Sequence, residues 1–127
     1  MDKEIEKVFN EFMEEKNFVP DYAKFLAEEN PEFLVKWFDT RKVFRGKGVL
    51  PEKFKELLSM AGNAIRLNEL GVGMHMQTAM EMGATKQEVL EASLCIWLVG
   101  GMPSLNICLR SLMKILKKDE QTKETQK

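Results

Sequence analysis

Apolar residues in this chain recur chiefly three or four positions apart, and no segment shows sustained alternation with period two. This property restricts the fold to packed helices. A 3.6-residue repeat lines up every third or fourth side chain on one face, whereas a strand needs every second. Ile5, Val8, Phe9, Phe12 and Met13 form the first stripe, on a helix that Asp2 can cap and that runs to about Lys16. Asn17-Phe18-Val19-Pro20 breaks it. A short helix follows with Tyr22, Phe25 and Leu26 on one side. Asn30-Pro31 is a restart, because Asn accepts from exposed N–H groups at an N-cap and Pro is pre-set for the first helical turn. Phe33, Leu34, Trp37, Phe38, Arg41 and Phe44 trace the third helix, which Gly46 and Gly48 end.

Pro51 opens a fourth helix whose core stripe is Phe54, Leu57, Leu58, Ala61, Ala64 and Ile65; Glu56 lies just off it, beside Met60 and Asn63. Gly71 and Gly73 lower helix propensity and predict a break between residues 68 and 73. Helical spacing resumes through His75, Ala79 and Met82, and Gly83 is a natural stop. Thr85-Lys86-Gln87-Glu88 reads as a capping box, in which two side chains satisfy each other's backbone donors. The next helix carries Val89, Leu90, Ser93, Leu94 and Trp97. It is apolar nearly all round from Leu94 to Val99, which predicts a central position. Gly100-Gly101-Met102-Pro103 turns the chain into a last helix with Leu105, Cys108, Leu109, Leu112, Ile115 and Leu116 facing inward. From Lys117 the sequence is polar without periodicity and is expected to be disordered. The reading is an all-α fold of six to seven helices, with one domain over residues 1–117 and a polar tail over 118–127.

The length of 127 residues supports one moderate core. With 19 basic and 20 acidic side chains, no net field points to nucleic acid or an anionic membrane as partner. Arg41, Lys42, Arg45 and Lys47 form a local basic cluster, read as a solvated helix end. The N-terminus is charged from Asp2 onward, so no signal peptide is expected, and no apolar run reads as a membrane span. Cys95 and Cys108 sit in apolar patterns outside any Cys-x-x-Cys arrangement and read as buried free thiols. The expectation is a soluble cytoplasmic protein, where thiols stay reduced.

Phosphate-cradling glycine loops and dinucleotide fingerprints are missing from the sequence. One His and two Cys do not match zinc-ligand spacings, and no Ser sits on a nucleophile elbow, so neither metal nor cofactor is expected. Six of the nine methionines, Met74, Met76, Met80, Met82, Met102 and Met113, read as core filling. What remains is His75, the only histidine, beside glycines, with Glu56 nineteen positions upstream. Histidine is the side chain best suited to proton transfer near neutral pH. Two helices hinged at the Gly71/Gly73 break would bring Glu56 and His75 together.

The residues also carry a resemblance. Lys55-Glu56-Leu57-Leu58 is followed by His75-x-x-x-Ala79-x-x-x-Gly83-Ala84-Thr85-x-x-Glu88-Val89-x-Glu91-Ala92 and then by Gly100-Gly101-Met102-Pro103-Ser104-Leu105. This order, with Phe18-Val19-Pro20 and Phe25-Leu26 ahead of it, resembles the carboxymuconolactone decarboxylase family, which includes the alkyl hydroperoxidase D-like (AhpD-like) proteins. The likeness spans about residues 5 to 116. It implies a helical protomer that assembles into dimers, trimers or hexamers, with Glu56 and His75 as a proton relay. In the peroxidase branch a Cys-x-x-Cys pair completes the centre. Carried over by position, those cysteines fall on Asn68 and Gly71, and a dithiol peroxidase needs thiolates there. The decarboxylase branch lacks the pair and releases carbon dioxide from 4-carboxymuconolactone. For that reaction the resemblance implies His75 as proton donor, Glu56 as its orienting partner, and Arg66 or Arg45 holding a substrate carboxylate, with Asn68 and Gly71 lining the substrate site. Three readings follow: a cofactor-free carboxy-lyase on a small carboxylated lactone, an AhpD-like peroxidase, and a non-catalytic ligand-binding or scaffold oligomer.

Overall fold

Six helices account for the regular structure of this computed structural model, which describes residues 2–126. The chain divides into two compact units, residues 1–46 and 47–127, where the sequence reads as one domain. The first unit holds α1 (Asp2–Lys16), α2 (Asp21–Glu29) and α3 (Pro31–Phe44). Asn30 serves two helices at once. Its backbone N–H donates to the Leu26 carbonyl at 2.8 Å, closing α2, and its Oδ1 accepts from the Phe33 N–H at 3.1 Å, opening α3. The unit is built around Phe12, fully buried with Val8, Ala23, Leu34 and Phe38. Burying a ring of this size contributes roughly 1.5–3 kcal/mol. Phe12 meets Phe38 edge-on at 5.0 Å, and the Arg41 guanidinium lies 4.8 Å from the Phe38 ring centroid and 5.3 Å from that of Trp37. The basic cluster is therefore more than a solvated helix end: Arg41 pairs with Glu15 at 3.3 Å, Lys42 with Glu11 at 3.0 Å, and Arg45 with Glu15 at 3.7 Å.

The second unit holds α4 (Glu52–Ile65), α5 (Glu69–Glu81) and α6 (Lys86–Thr125). Its core gathers Leu57, Met60 and Ala64 from α4, Val72, Met76 and Ala79 from α5, and Val89, Ile96, Ile107, Cys108, Leu112 and Ile115 from α6. Met60, which the sequence places beside the stripe, is fully buried. The Thr85–Glu88 capping box forms as read, both hydrogen bonds being 3.0 Å, and Lys53 reaches Glu88 at 3.0 Å. Gly101, at φ 77 and ψ −171, breaks α6 and supplies the expected turn. Gly100 beside it must be small, since a side chain there would collide with Ser104 and with Ile65 of α4.

Four expectations are corrected. The chain does not loosen at Gly71 and Gly73, which lie inside α5. The turn comes earlier, at Arg66, Leu67 and Asn68, where α4 ends in a Schellman arrangement: Leu67 N–H donates to the Ala64 carbonyl at 3.1 Å and Asn68 N–H to the Asn63 carbonyl at 2.9 Å. Leu67 takes the left-handed position that glycine usually fills, at φ 59, so propensity points to the wrong residues. The polar stretch expected to be disordered from Lys117 is helical as far as Thr125, consistent with its helix-favouring Lys, Glu and Gln; Lys127 lies outside the described residues. The segment Leu94 to Val99 is not enclosed by its own chain. Ser93 and Ile96 face the core, while Leu98 is 79 % and Val99 80 % exposed, and Cys95 is exposed with them. Finally, α6 does contain an 18-residue window with mean hydropathy 1.6, the length and composition of a membrane span. That helix is broken at Gly101 and also supplies much of the core of its unit, which is what a central helix of a packed bundle does.

Candidate functional site

Helices α4 and α5 run antiparallel across their three-residue turn. Glu56 is half-sheltered on α4 and His75 on α5, with side chains 14 % and 25 % exposed, and they meet with His75 Nδ1 2.7 Å from Glu56 Oε2. The local sequence explains the meeting. Met60 and Ala64 on α4 and Val72, Met76 and Ala79 on α5 are buried between the helices and α6, which leaves the flanking positions Glu56 and His75 on the rim of that seam. A carboxylate at Nδ1 favours the ring form with the proton on that nitrogen, so the other nitrogen presents a lone pair when neutral and an N–H when charged. Nε2 makes no hydrogen bond to any described residue. The arrangement is an oriented imidazole with one nitrogen open for proton transfer.

At the turn end of the same seam, Asn63 Nδ2 donates to the Ser59 carbonyl at 2.8 Å, Asn68 Nδ2 donates to Asn63 Oδ1 at 2.9 Å, and the Gly71 N–H donates to Asn68 Oδ1 at 3.3 Å. Asn68 is thereby the N-cap of α5. Gly71 leaves space for the Asn63 carboxamide, which any side chain at that position would strike. Asn68 and Gly71 thus belong to an amide network, and Asn63, absent from the sequence-based candidates, belongs with them. Its signal was available: Asn63 is seven residues from Glu56, two helical turns along one face.

Arg66 is exposed at the C-cap of α4 and forms no ion pair among the described residues. Arg45 is held by Glu15 inside the first unit. Glu69, at the start of α5, pairs with Arg110 of α6 at 2.8 Å, and that guanidinium holds its carboxyl below the usual range. The two thiols differ: Cys95 is exposed, whereas burial pushes the Cys108 thiol up. Among the described residues no three His, Cys, Asp or Glu side chains converge on a metal position. A groove of about 440 Å³ in the first unit, between Asp2, Glu6, Phe9 and Pro31, contains neither His75 nor Glu56.

The sequence matches the carboxymuconolactone decarboxylase family over residues 31–114, a span that includes the whole α4–α5 seam. The chain belongs to this family. An uncharacterized protein of Methanocaldococcus jannaschii is 33 % identical over 107 residues, covering 81 % of this chain and all of the relative. In three dimensions the fold is similar to that of a crystal structure from Burkholderia xenovorans, itself described as a candidate carboxymuconolactone decarboxylase. The TM-score is 0.77 at 22 % identity, covering 95 % of this chain and 97 % of the other. Family membership and the all-α fold thus agree with the resemblance read from the residues.

Proposed function

We propose that this family member is a cofactor-free carboxy-lyase acting on a small carboxylated lactone of the 4-carboxymuconolactone type, with His75 as proton donor and Glu56 as its orienting partner. The observation that carries this reading is the 2.7 Å contact from Glu56 to His75 Nδ1, which leaves Nε2 open. In the reaction, the bond between the ring carbon and the substrate carboxylate breaks and carbon dioxide leaves. The electron pair passes into the lactone's conjugated carbonyl as a dienolate. The imidazolium Nε2–H then delivers one proton to carbon, giving the enol-lactone, and solvent returns that proton to the ring. Glu56 holds the ring by Nδ1, so that Nε2 is the nitrogen that delivers the proton. Arg66, exposed beside the turn, is the cation we assign to a substrate carboxylate, with the amides at Asn68 and Gly71 lining the approach.

A dithiol peroxidase fits the residues less well. The two positions that carry thiols in that branch are Asn68 and Gly71, and the thiols present lie on α6. We place the working protein in the cytoplasm as a homo-oligomer. The test is carbon dioxide release from 4-carboxymuconolactone and related carboxylated lactones. His75→Ala is expected to lower kcat by about 10²–10⁴, the range for a lost general acid, and Glu56→Gln by less. An inactive parent protein across that set would remove the substrate class.

A further inference from the structure

The Glu56–His75 contact shares its seam with the amide network. Glu56 and Asn63 lie seven apart on α4, and Gly71 and His75 four apart on α5, so each pair occupies one face of its helix. Between those faces runs an unbroken series of neutral hydrogen bonds: Ser59 carbonyl, Asn63 carboxamide, Asn68 carboxamide, Gly71 N–H. Capping α5 requires only Asn68 Oδ1. The bond from Asn68 Nδ2 to Asn63 Oδ1 adds nothing to the cap. What it fixes is the first turn of α5 against the last turns of α4. The Schellman turn adds a second tie between the same two residues, because the Asn68 N–H also donates to the Asn63 carbonyl at 2.9 Å. Asn68 is therefore bonded twice to Asn63 and once to Gly71, one helical turn before His75.

We propose that Asn63 and Asn68 are positioning residues: their paired carboxamides set the register of α5 on α4 and so hold His75 Nδ1 against Glu56. Any consequence for catalysis rests on the proton-transfer reading above; the positioning itself does not. The lone histidine makes the idea directly measurable, since ring 15N signals of untagged protein come from one residue. At a pH where the ring is neutral, those signals report which nitrogen holds the proton. In the parent protein the Nδ1–H form is expected to dominate. In Glu56→Ala the ring is expected to take the Nε2–H form, which free histidine prefers in water.

Asn63→Leu removes both carboxamide bonds of Asn63. Asn68→Ser keeps a good N-cap acceptor and removes only the bridge. Each is expected to lower the ratio of Nδ1–H to Nε2–H by about fivefold, the scale of one hydrogen bond's net contribution. Neither should change the ratio further in the Glu56→Ala background. Thr85→Ala, which weakens a helix cap elsewhere in the unit, should leave the ratio alone. Should Asn63→Leu fail to fold, Asn68→Ser decides alone. Parental ratios in the bridge variants, or an equal change in Thr85→Ala, would overturn the proposal. If the ratios shift as expected while no lactone is decarboxylated, the positioning role stands and the reaction falls. If lactone is decarboxylated and the ratios do not shift, the reaction stands and the positioning role falls.

Discussion

At the scale of single residues, the most constrained position in the seam is Gly71. Its dihedrals are helical, so its value lies in the missing Cβ and not in backbone freedom. Gly71→Ala would raise intrinsic helix propensity, yet it puts a methyl group into the Asn63 carboxamide. We expect a net destabilisation of about 1–3 kcal/mol, the usual range for overpacking, seen as a lower urea midpoint at unchanged slope. A more stable variant would show that the carboxamide moves aside at little cost. The same position shows where the sequence misleads. Gly71 and Gly73 look like a hinge by propensity, but the chain turns at Leu67, a residue type that rarely takes positive φ. The two hydrogen bonds that make this turn pair residues three and five apart and leave no mark on composition. Glu56 and His75 were legible because one histidine and one carboxylate sit on neighbouring helices. Asn63 carries only the weaker signal of lying two turns from Glu56 on the same face, and an Asn within a helix is ordinarily a solvated surface residue.

At the scale of elements, α6 depends on how it begins. Glu88 closes the capping box on the Thr85 N–H and also receives Lys53 from α4, and these bonds, the backbone one foremost, hold its carboxyl below the usual carboxylate range. A depressed folded value means that Glu88 contributes stability above the unfolded-chain value and loses it as pH falls through the folded one. Stability measured by urea unfolding is therefore expected to decline as acid enters and passes below the ordinary glutamate range. Glu88→Gln should flatten that decline without changing its direction. An identical acid slope in the variant would assign the effect to other carboxylates. This capping box was legible in full, since its four residues are contiguous and their roles local. Asn30-Pro31 was legible for the same reason. The polar end of α6 is not legible from apolar periodicity, because Lys, Glu and Gln favour helix without an apolar stripe.

At the scale of the whole molecule, the exposed apolar side of α6 is the largest departure from what the hydrophobic pattern promised. Leu94, Trp97, Leu98, Val99 and Met102 are each between 45 % and 80 % exposed. A contiguous apolar helix side of this kind marks an interaction surface in soluble proteins. The pattern predicts a buried segment, and within this chain the segment is exposed. We expect the protein to elute from gel filtration as an oligomer, and Leu98→Glu to shift it toward the monomer, because a charge in an apolar contact is strongly disfavoured. A parent protein that elutes as a sharp monomer would count against assembly through this side. The division into units at residue 46 was likewise invisible in the sequence, where apolar spacing runs on at the same period through both.

The closed nitrogen of His75 has a consequence for the product. With Nδ1 committed to Glu56 and the ring held between two helices, a proton leaving Nε2 departs in one fixed direction. On the reading proposed above, the dienolate carbon next to the lactone carbonyl, which takes the proton as the enol-lactone forms, can then be protonated from one side only. Run in heavy water, the decarboxylation should give a methylene carrying a single deuterium of one handedness, where spontaneous protonation from bulk solvent would give both in equal amounts. The handedness of that label would record how one imidazole stands on α5.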